Sequence, residues 1–156
     1  MNFTPKREEA TLMDPTRVYE KVEKYMRKDF ITLRPDQSID EAIDILLVYN
    51  LSSVIVVNED RKVVGILSEK DCLRILIDSA YDNYPYRSRF VSDYMTDEIR
   101  SVTPDQTVVD VAYEFLNGTY LKYPVMEMGR LVGMVSRQDI LRAARAITKT
   151  TWDLKR

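Results

Sequence analysis

VVGILSEKD, from Val63 to Asp71, returns as LVGMVSRQD, from Leu131 to Asp139. Each copy places a glycine inside an apolar run, then a serine, then an aspartate three residues on. Gly65 and Gly133 stand 68 positions apart. Upstream, YMRKDFITLRPDQSIDEAIDIL from Tyr25 matches YMTDEIRSVTPDQTVVDVAYEF from Tyr94 at an offset of 69. One residue is therefore lost between the two alignments. It falls where VVNEDRKVVG becomes VMEMGRLVG, in a predicted hairpin turn, which tolerates such a loss. The chain is a duplication.

Each copy predicts the same order of elements. An extended segment (Phe30–Leu33, Ile99–Val102) is broken by Pro35-Asp36 or Pro104-Asp105. Ser38-x-x-Glu41 and Thr107-x-x-Asp110 then read as capping boxes opening helices. Ile39, Ala42, Ile43, Leu46 and Leu47 follow the helical period in one; Val108, Val111, Ala112 and Phe115 follow it in the other, which Asn117-Gly118 ends. A hairpin of continuous apolar strands follows, as expected where both faces are covered, and Pro124 places its strand at an edge or its end beside a gap. A second helix starts at Ser68 or Ser136. The fold class is α+β: two pseudo-symmetric strand–helix–strand–strand–helix repeats. We divide the chain into an extension over residues 1–21, a repeat over 22–80, a linker over 81–90, a second repeat over 91–147 and a tail over 148–156. Asp14-Pro15 reads as a cap and first position of a helix running through Met26. Tyr81, Tyr84 and Tyr86 read as aromatics packing the linker, and Trp152 as a docking residue of the tail.

Hydrophobic residues make up 45% of the 156 and charged residues 31%, the balance of a globular chain able to bury a core. Lys plus Arg total 23 against 25 Asp plus Glu, so no broad electrostatic footprint for nucleic acid is visible. The single cysteine, Cys72, sits in an apolar run and reads as packing in a reducing compartment. No apolar run spans a bilayer and the charged start is no signal peptide, so the expected location is cytoplasmic. The chain contains no histidine, which removes Ser/His and Cys/His catalysis and histidine metal sites. We expect no enzyme, no metal and no required cofactor.

A lone Ser-x-x-Asp is a helix cap and binds nothing. The glycines call for a further reason, because glycine weakens a strand unless something approaches its backbone closely. Strand, Gly65 or Gly133, serine and helix start then surround one small volume. Free N–H groups at the helix start favour phosphate, the serine hydroxyl adds a donor, and the aspartate accepts from a vicinal diol. Together they describe a ribonucleotide.

The paired repeats resemble a tandem cystathionine-β-synthase (CBS) domain pair, or Bateman module, over roughly Val22 to Ala144. The resemblance is carried by the duplicated Tyr-Met, by Thr32-x-x-Pro-Asp and Ser101-x-x-Pro-Asp, by Pro124-Val125 and by both glycine phrases. It implies two units packed through their sheets, with clefts for AMP, ADP or ATP, or for S-adenosylmethionine or NAD. It implies that Asp71 and Asp139 meet ribose, and that Ser68 and Ser136 meet phosphate. Thr32 and Ser101, with the backbone at Ile31 and Val102, would flank the base. Ile55, Ile66, Pro124 and Met134 would wall the cleft, with core packing as their alternative role.

The copies differ beside the serine: Glu69-Lys70 in the first, Arg137-Gln138 in the second. A carboxylate about 4 Å from phosphate costs ~1 kcal/mol in water and ~4 at intermediate dielectric, whereas Arg137 is able to grip phosphate as a fork. The second phrase is thus expected to serve phosphate better, with the first weakened rather than excluded and a solvated surface charge as the alternative role of Arg137. In the second helices Leu73, Leu76, Ile77 and Ala80 form a stripe that Cys72 and Ile75 widen; Ile140, Leu141, Ala144 and Ile147 form a weaker one. Such helices are buried on more than one side, for which the resemblance implies a homodimer, with burial wholly within the monomer as the competing explanation. The expected function is a regulatory module sensing adenosine nucleotides and passing its state to an effector protein, since the repeats occupy nearly the whole chain. The alternative is a ligand-free interaction scaffold.

Overall fold

The computed structural model describes residues 19–82 and 89–153. Asp14-Pro15, Tyr84 and Tyr86 lie outside them, as do the side chains of Ile147 and Trp152. The chain forms two compact units: one holds Lys28–Ser101 with Met126–Val132, the other Val102–Val125, Gly133 onward and the residues up to Arg27.

In the first unit, β1 (Thr32–Leu33) lies parallel to β2 (Ser53–Val57), which pairs antiparallel with β3 (Val63–Ser68). Helix α1 (Ile39–Val48) joins β1 to β2, and α2 (Glu69–Asp82) follows β3 directly. Ile39, Ala42 and Leu46 of α1 pack with Leu33, Val54, Val56, Leu67 and Ile75 into one core. Burying each such aliphatic chain stabilises the fold by about 1.5–3 kcal/mol. Ile55, on the opposite face of β2, is buried too, as the continuous apolar strand predicts.

Ser38 Oγ caps α1 by accepting the Glu41 N–H at 3.2 Å. The reciprocal Glu41 bond is not formed among the described residues, so the expected box is half closed. In the second unit the shorter acid closes it: Thr107 N–H donates to Asp110 Oδ2 at 3.0 Å and Asp110 N–H to Thr107 Oγ1 at 3.1 Å. Helix α1 ends on Asn50 at φ 51, with Leu51 N–H bonded to Leu46 O at 2.9 Å. That is the left-handed C-terminal cap for which asparagine is suited.

A short helix, α3 (Val91–Tyr94), comes from the opening of the second repeat but completes the first unit. Val91 N–H donates to Gln37 O at 2.9 Å, and Thr96 exchanges two 2.9 Å bonds with Ile66, lengthening the row beyond β3.

The second unit is built likewise. Its opening, Val22–Lys24, is a 3-10 turn and not the end of a helix through Met26. The donors there go to other segments: Val22 N–H to Gln106 O at 2.8 Å and Arg27 N–H to Met134 O at 2.8 Å. Helix α4 (Val108–Asn117), β4 (Lys122–Glu127), β5 (Arg130–Ser136) and α5 (Arg137–Asp153) follow, with the Met126–Val132 tip of the hairpin counted in the first unit. Val102 makes a single parallel bridge with Val125, its N–H donating to Pro124 O at 3.0 Å. Pro124 has no N–H to return, so the segment matching β1 shrinks to one bridge.

The lost residue is in the turn. Asn58–Lys62 is closed by Asn58 N–H to Lys62 O at 2.9 Å, with Arg61 at φ 61. Its counterpart uses two central residues, Met128 at φ 52 and Gly129 at φ 76, the signs a type I′ turn requires.

On α2 the buried positions are Asp71 and Ile75, with Cys72 half-buried. Leu73, Leu76 and Ile77 are 63%, 66% and 56% exposed. The expected core stripe is therefore the outer face, and the residues thought to widen it are the inner one. Leu141 on α5 is exposed as well, while Ala143 is fully buried.

Candidate functional site

Both repeated phrases run from a strand straight into a helix. In the first, Ser68 N–H and Ser68 Oγ–H donate to Asp71 Oδ2 at 2.9 and 2.8 Å, and Asp71 N–H returns to Ser68 Oγ at 3.1 Å. In the second, Ser136 N–H and Oγ–H donate to Asp139 Oδ2 at 2.9 and 2.9 Å, and Asp139 N–H returns at 3.2 Å. The carboxylates are 9% and 4% exposed. Each is first of all a helix cap.

The phosphate role expected of Ser68 and Ser136 competes with this cap. Each hydroxyl has one proton, and the aspartate holds it. The first helical N–H is also engaged, Glu69 with Ser52 O at 3.0 Å and Arg137 with Leu121 O at 3.3 Å. The helix starts offer an anion few free donors.

At both glycines the space beside the backbone is taken by protein. A Cβ at Gly65 would lie 2.5 Å from Met95 Sδ and 3.1 Å from Thr96 O; one at Gly133 would lie 2.6 Å from Met26 Sδ and 3.1 Å from Arg27 O. The group that approaches each glycine is the methionine of the repeated Tyr-Met. The two motifs explain each other, since the opening segment of either repeat seats on the glycine phrase that its unit supplies.

The other candidates divide by unit. Thr32, Ile55 and Ile66 lie in one row across β1, β2 and β3, which Thr96 continues. Ile31 is exposed before the row, and Ile55 is buried within it. In the second unit Val102, expected to flank the base through its backbone, and Pro124, expected as a cleft wall, have fully buried side chains, and Met134 pairs with Arg27. Ser101 is exposed. Arg137 donates from Nε to Tyr120 O at 3.0 Å, which ties the start of α5 to the chain ahead of β4.

Sequence reasoning missed Arg27 and Arg142. Arg27 Nε and Arg142 Nη1 donate to Asp139 Oδ1 at 3.2 and 2.8 Å. Asp71 Oδ1 has no such partner among the described residues, and no buried polar side-chain atom there lacks one, so this oxygen reaches solvent. Arg142 was discoverable as an i, i+3 partner. Arg27, 112 residues away, left no signal in the sequence.

Residues 22–78 and 91–146 match the model of the CBS domain. The chain belongs to the CBS domain family. An uncharacterised protein of Methanocaldococcus jannaschii is 30% identical over 125 residues, 80% of this chain and 43% of its own length. The inosine-5'-monophosphate dehydrogenase of Aquifex aeolicus is 33% identical over 114 residues, 72% of this chain and 22% of its own length. The chain thus spans less than half of each. Among solved structures, the CBS-pair protein CBSX2 of Arabidopsis thaliana, in complex with AMP, superposes with a TM-score of 0.71 at 23% identity, covering 82% of this chain and 98% of that one. A CBS domain pair in complex with 5'-methylthioadenosine and S-adenosyl-L-methionine gives 0.67 at 27% identity, covering 82% and 98%. The α+β fold and the two tandem CBS repeats are those of such pairs.

Proposed function

We propose that this CBS pair is a regulatory module that binds an adenosine nucleotide, AMP, ADP or ATP, and passes its state to a partner protein. The observation that carries the reading is Asp71: a buried carboxylate fixed by its own helix cap through Oδ2, with Oδ1 left open to solvent. A carboxylate so held is an oriented acceptor for a ribose diol. Thr32, in the row that passes through Ile66 of this phrase, is the candidate for the base in the same unit. CBS pairs solved with AMP and with S-adenosyl-L-methionine support an adenosyl ligand. The regulatory role without catalysis is supported by a sequence that lacks histidine.

Thermal denaturation with AMP, ADP, ATP, S-adenosylmethionine and NAD tests it. Ligand at about 100 times its dissociation constant adds ~2.7 kcal/mol of stability. Mass spectrometry of small molecules released from the purified protein identifies the natural one. No stabilisation at millimolar concentrations sinks the proposal. It would leave a ligand-free interaction scaffold, a reading favoured by the methionines that fill both glycine hollows.

We further propose a homodimer joined through α2, whose exposed Leu73, Leu76 and Ile77 form an apolar face that a second copy covers.

A further inference from the structure

The two phrases share a cap but not a charge state of their surroundings. An ionised carboxylate offers roughly four lone-pair sites. Asp139 has four donors: Ser136 N–H, Ser136 Oγ–H, Arg27 Nε–H and Arg142 Nη1–H. Its capacity is full. Asp71 receives only the two serine donors. The difference follows from the repeat alignment. Thr96 stands where Arg27 does, and Arg74, the counterpart of Arg142, makes no ion pair among the described residues. Only the second unit, whose opening segment comes from the first repeat, has a guanidinium at this position.

The carboxylate is 5% exposed while Arg27 and Arg142 are 55% and 57% exposed. The pairs are therefore anchored on the inner side and accessible on the outer, and each guanidinium keeps N–H groups beyond the one it uses. A sugar hydroxyl is a poor exchange for a charged donor. A phosphate is a good exchange for a carboxylate, because it takes guanidinium in the same forked geometry. Resting on the nucleotide reading above, we propose that Arg27 and Arg142 latch the second phrase, so that it accepts a phosphate-bearing diol and refuses a neutral one. The phosphate draws the guanidiniums off Asp139 Oδ1, and the freed oxygen accepts from the ribose. The open Asp71 phrase has no such requirement. Because Arg27 lies on the opening segment of its unit, release of the latch removes the ion pair between that segment and α5, while Tyr25 still packs beside Ala143 and the Arg27–Met134 bridge remains.

Titration calorimetry with ADP and with adenosine is the test, on a chain whose first phrase is silenced by Asp71→Asn. The latched chain should bind ADP and bind adenosine at least tenfold more weakly. Adding Arg27→Gln and Arg142→Gln should reverse this, with adenosine gaining tenfold or more and ADP losing as much. The single substitutions, each at a side chain more than half exposed, should give partial reversals and serve if the pair together fails to fold. Adenosine binding equally well with and without the arginines overturns the latch, as does ADP binding that vanishes with Asp71→Asn. If the unaltered chain binds neither ADP nor adenosine, the nucleotide reading falls and the latch with it.

Discussion

At Asp71 one oxygen holds the start of α2 and the other faces solvent, so Asp71→Asn keeps an acceptor for the cap and removes the charge offered to a diol. A charged hydrogen bond is worth about 1.5–3 kcal/mol. Affinity for an adenosine nucleotide at this phrase should fall about ten- to a hundredfold by calorimetry, with the melting curve nearly unmoved. The neighbouring Cys72 carries a second residue-scale consequence. Burial, then the charges of Asp71 and Glu69, push its thiol from 9.0 up to about 11. Between those values the unfolded chain loses this proton and the folded chain keeps it. Its contribution is therefore intact below about pH 9 and is lost as pH rises towards 11. Urea melts across that window should fall more steeply for the parent than for Cys72→Ala. The same protonated thiol should react slowly with iodoacetamide at pH 8.

At the scale of elements, the seat of each opening segment is a strand glycine beneath a methionine. Gly65→Ala places a Cβ against Met95 Sδ and close to Thr96 O, and overpacking of this kind costs about 1–3 kcal/mol. Met95→Ala should relieve part of it. The double variant should be more stable than the sum of the single losses predicts, by about 0.5–3 kcal/mol in chemical denaturation. Exact additivity would mean that the methionine does not rest on that glycine. The hairpin, caps and helix periods were legible because they depend on neighbours within a few residues: Thr107 with Asp110, Asn50 after α1, Met128-Gly129 in the turn. The reason for Gly65 was not, because its partner is thirty residues on in the chain and reaches it through the sheet.

For the whole molecule, the apolar outer face of α2 carries the proposed dimer. Leu76 is 66% exposed in the single chain, so Leu76→Asp leaves the fold of the subunit intact and places a charge where a second copy would pack. Sedimentation should show a dimer for the parent and a monomer for the variant, with closely similar far-ultraviolet circular dichroism. A monomeric parent would refute the dimer. The sequence did show that α2 has too much apolar surface for one buried side. It misassigned which side, since Cys72 and Ile75 lie on the core and Leu73, Leu76 and Ile77 do not. Periodicity gives the angle between residues on a helix but not the direction of the core.

Duplication, α+β order and family were determined by the sequence alone, because each rests on local spacing written twice, whereas the cap at Ser68, Asp71, Ser136 and Asp139 was there only the competing reading to ligand binding. Tertiary structure decided what spacing cannot carry. It seated Met95 and Met26 on the glycines, occupied both serine protons, and brought Arg27 to Asp139 while leaving Asp71 Oδ1 open. The physical reason is that hydrogen-bond capacity is finite: only the fold shows which donors already hold it.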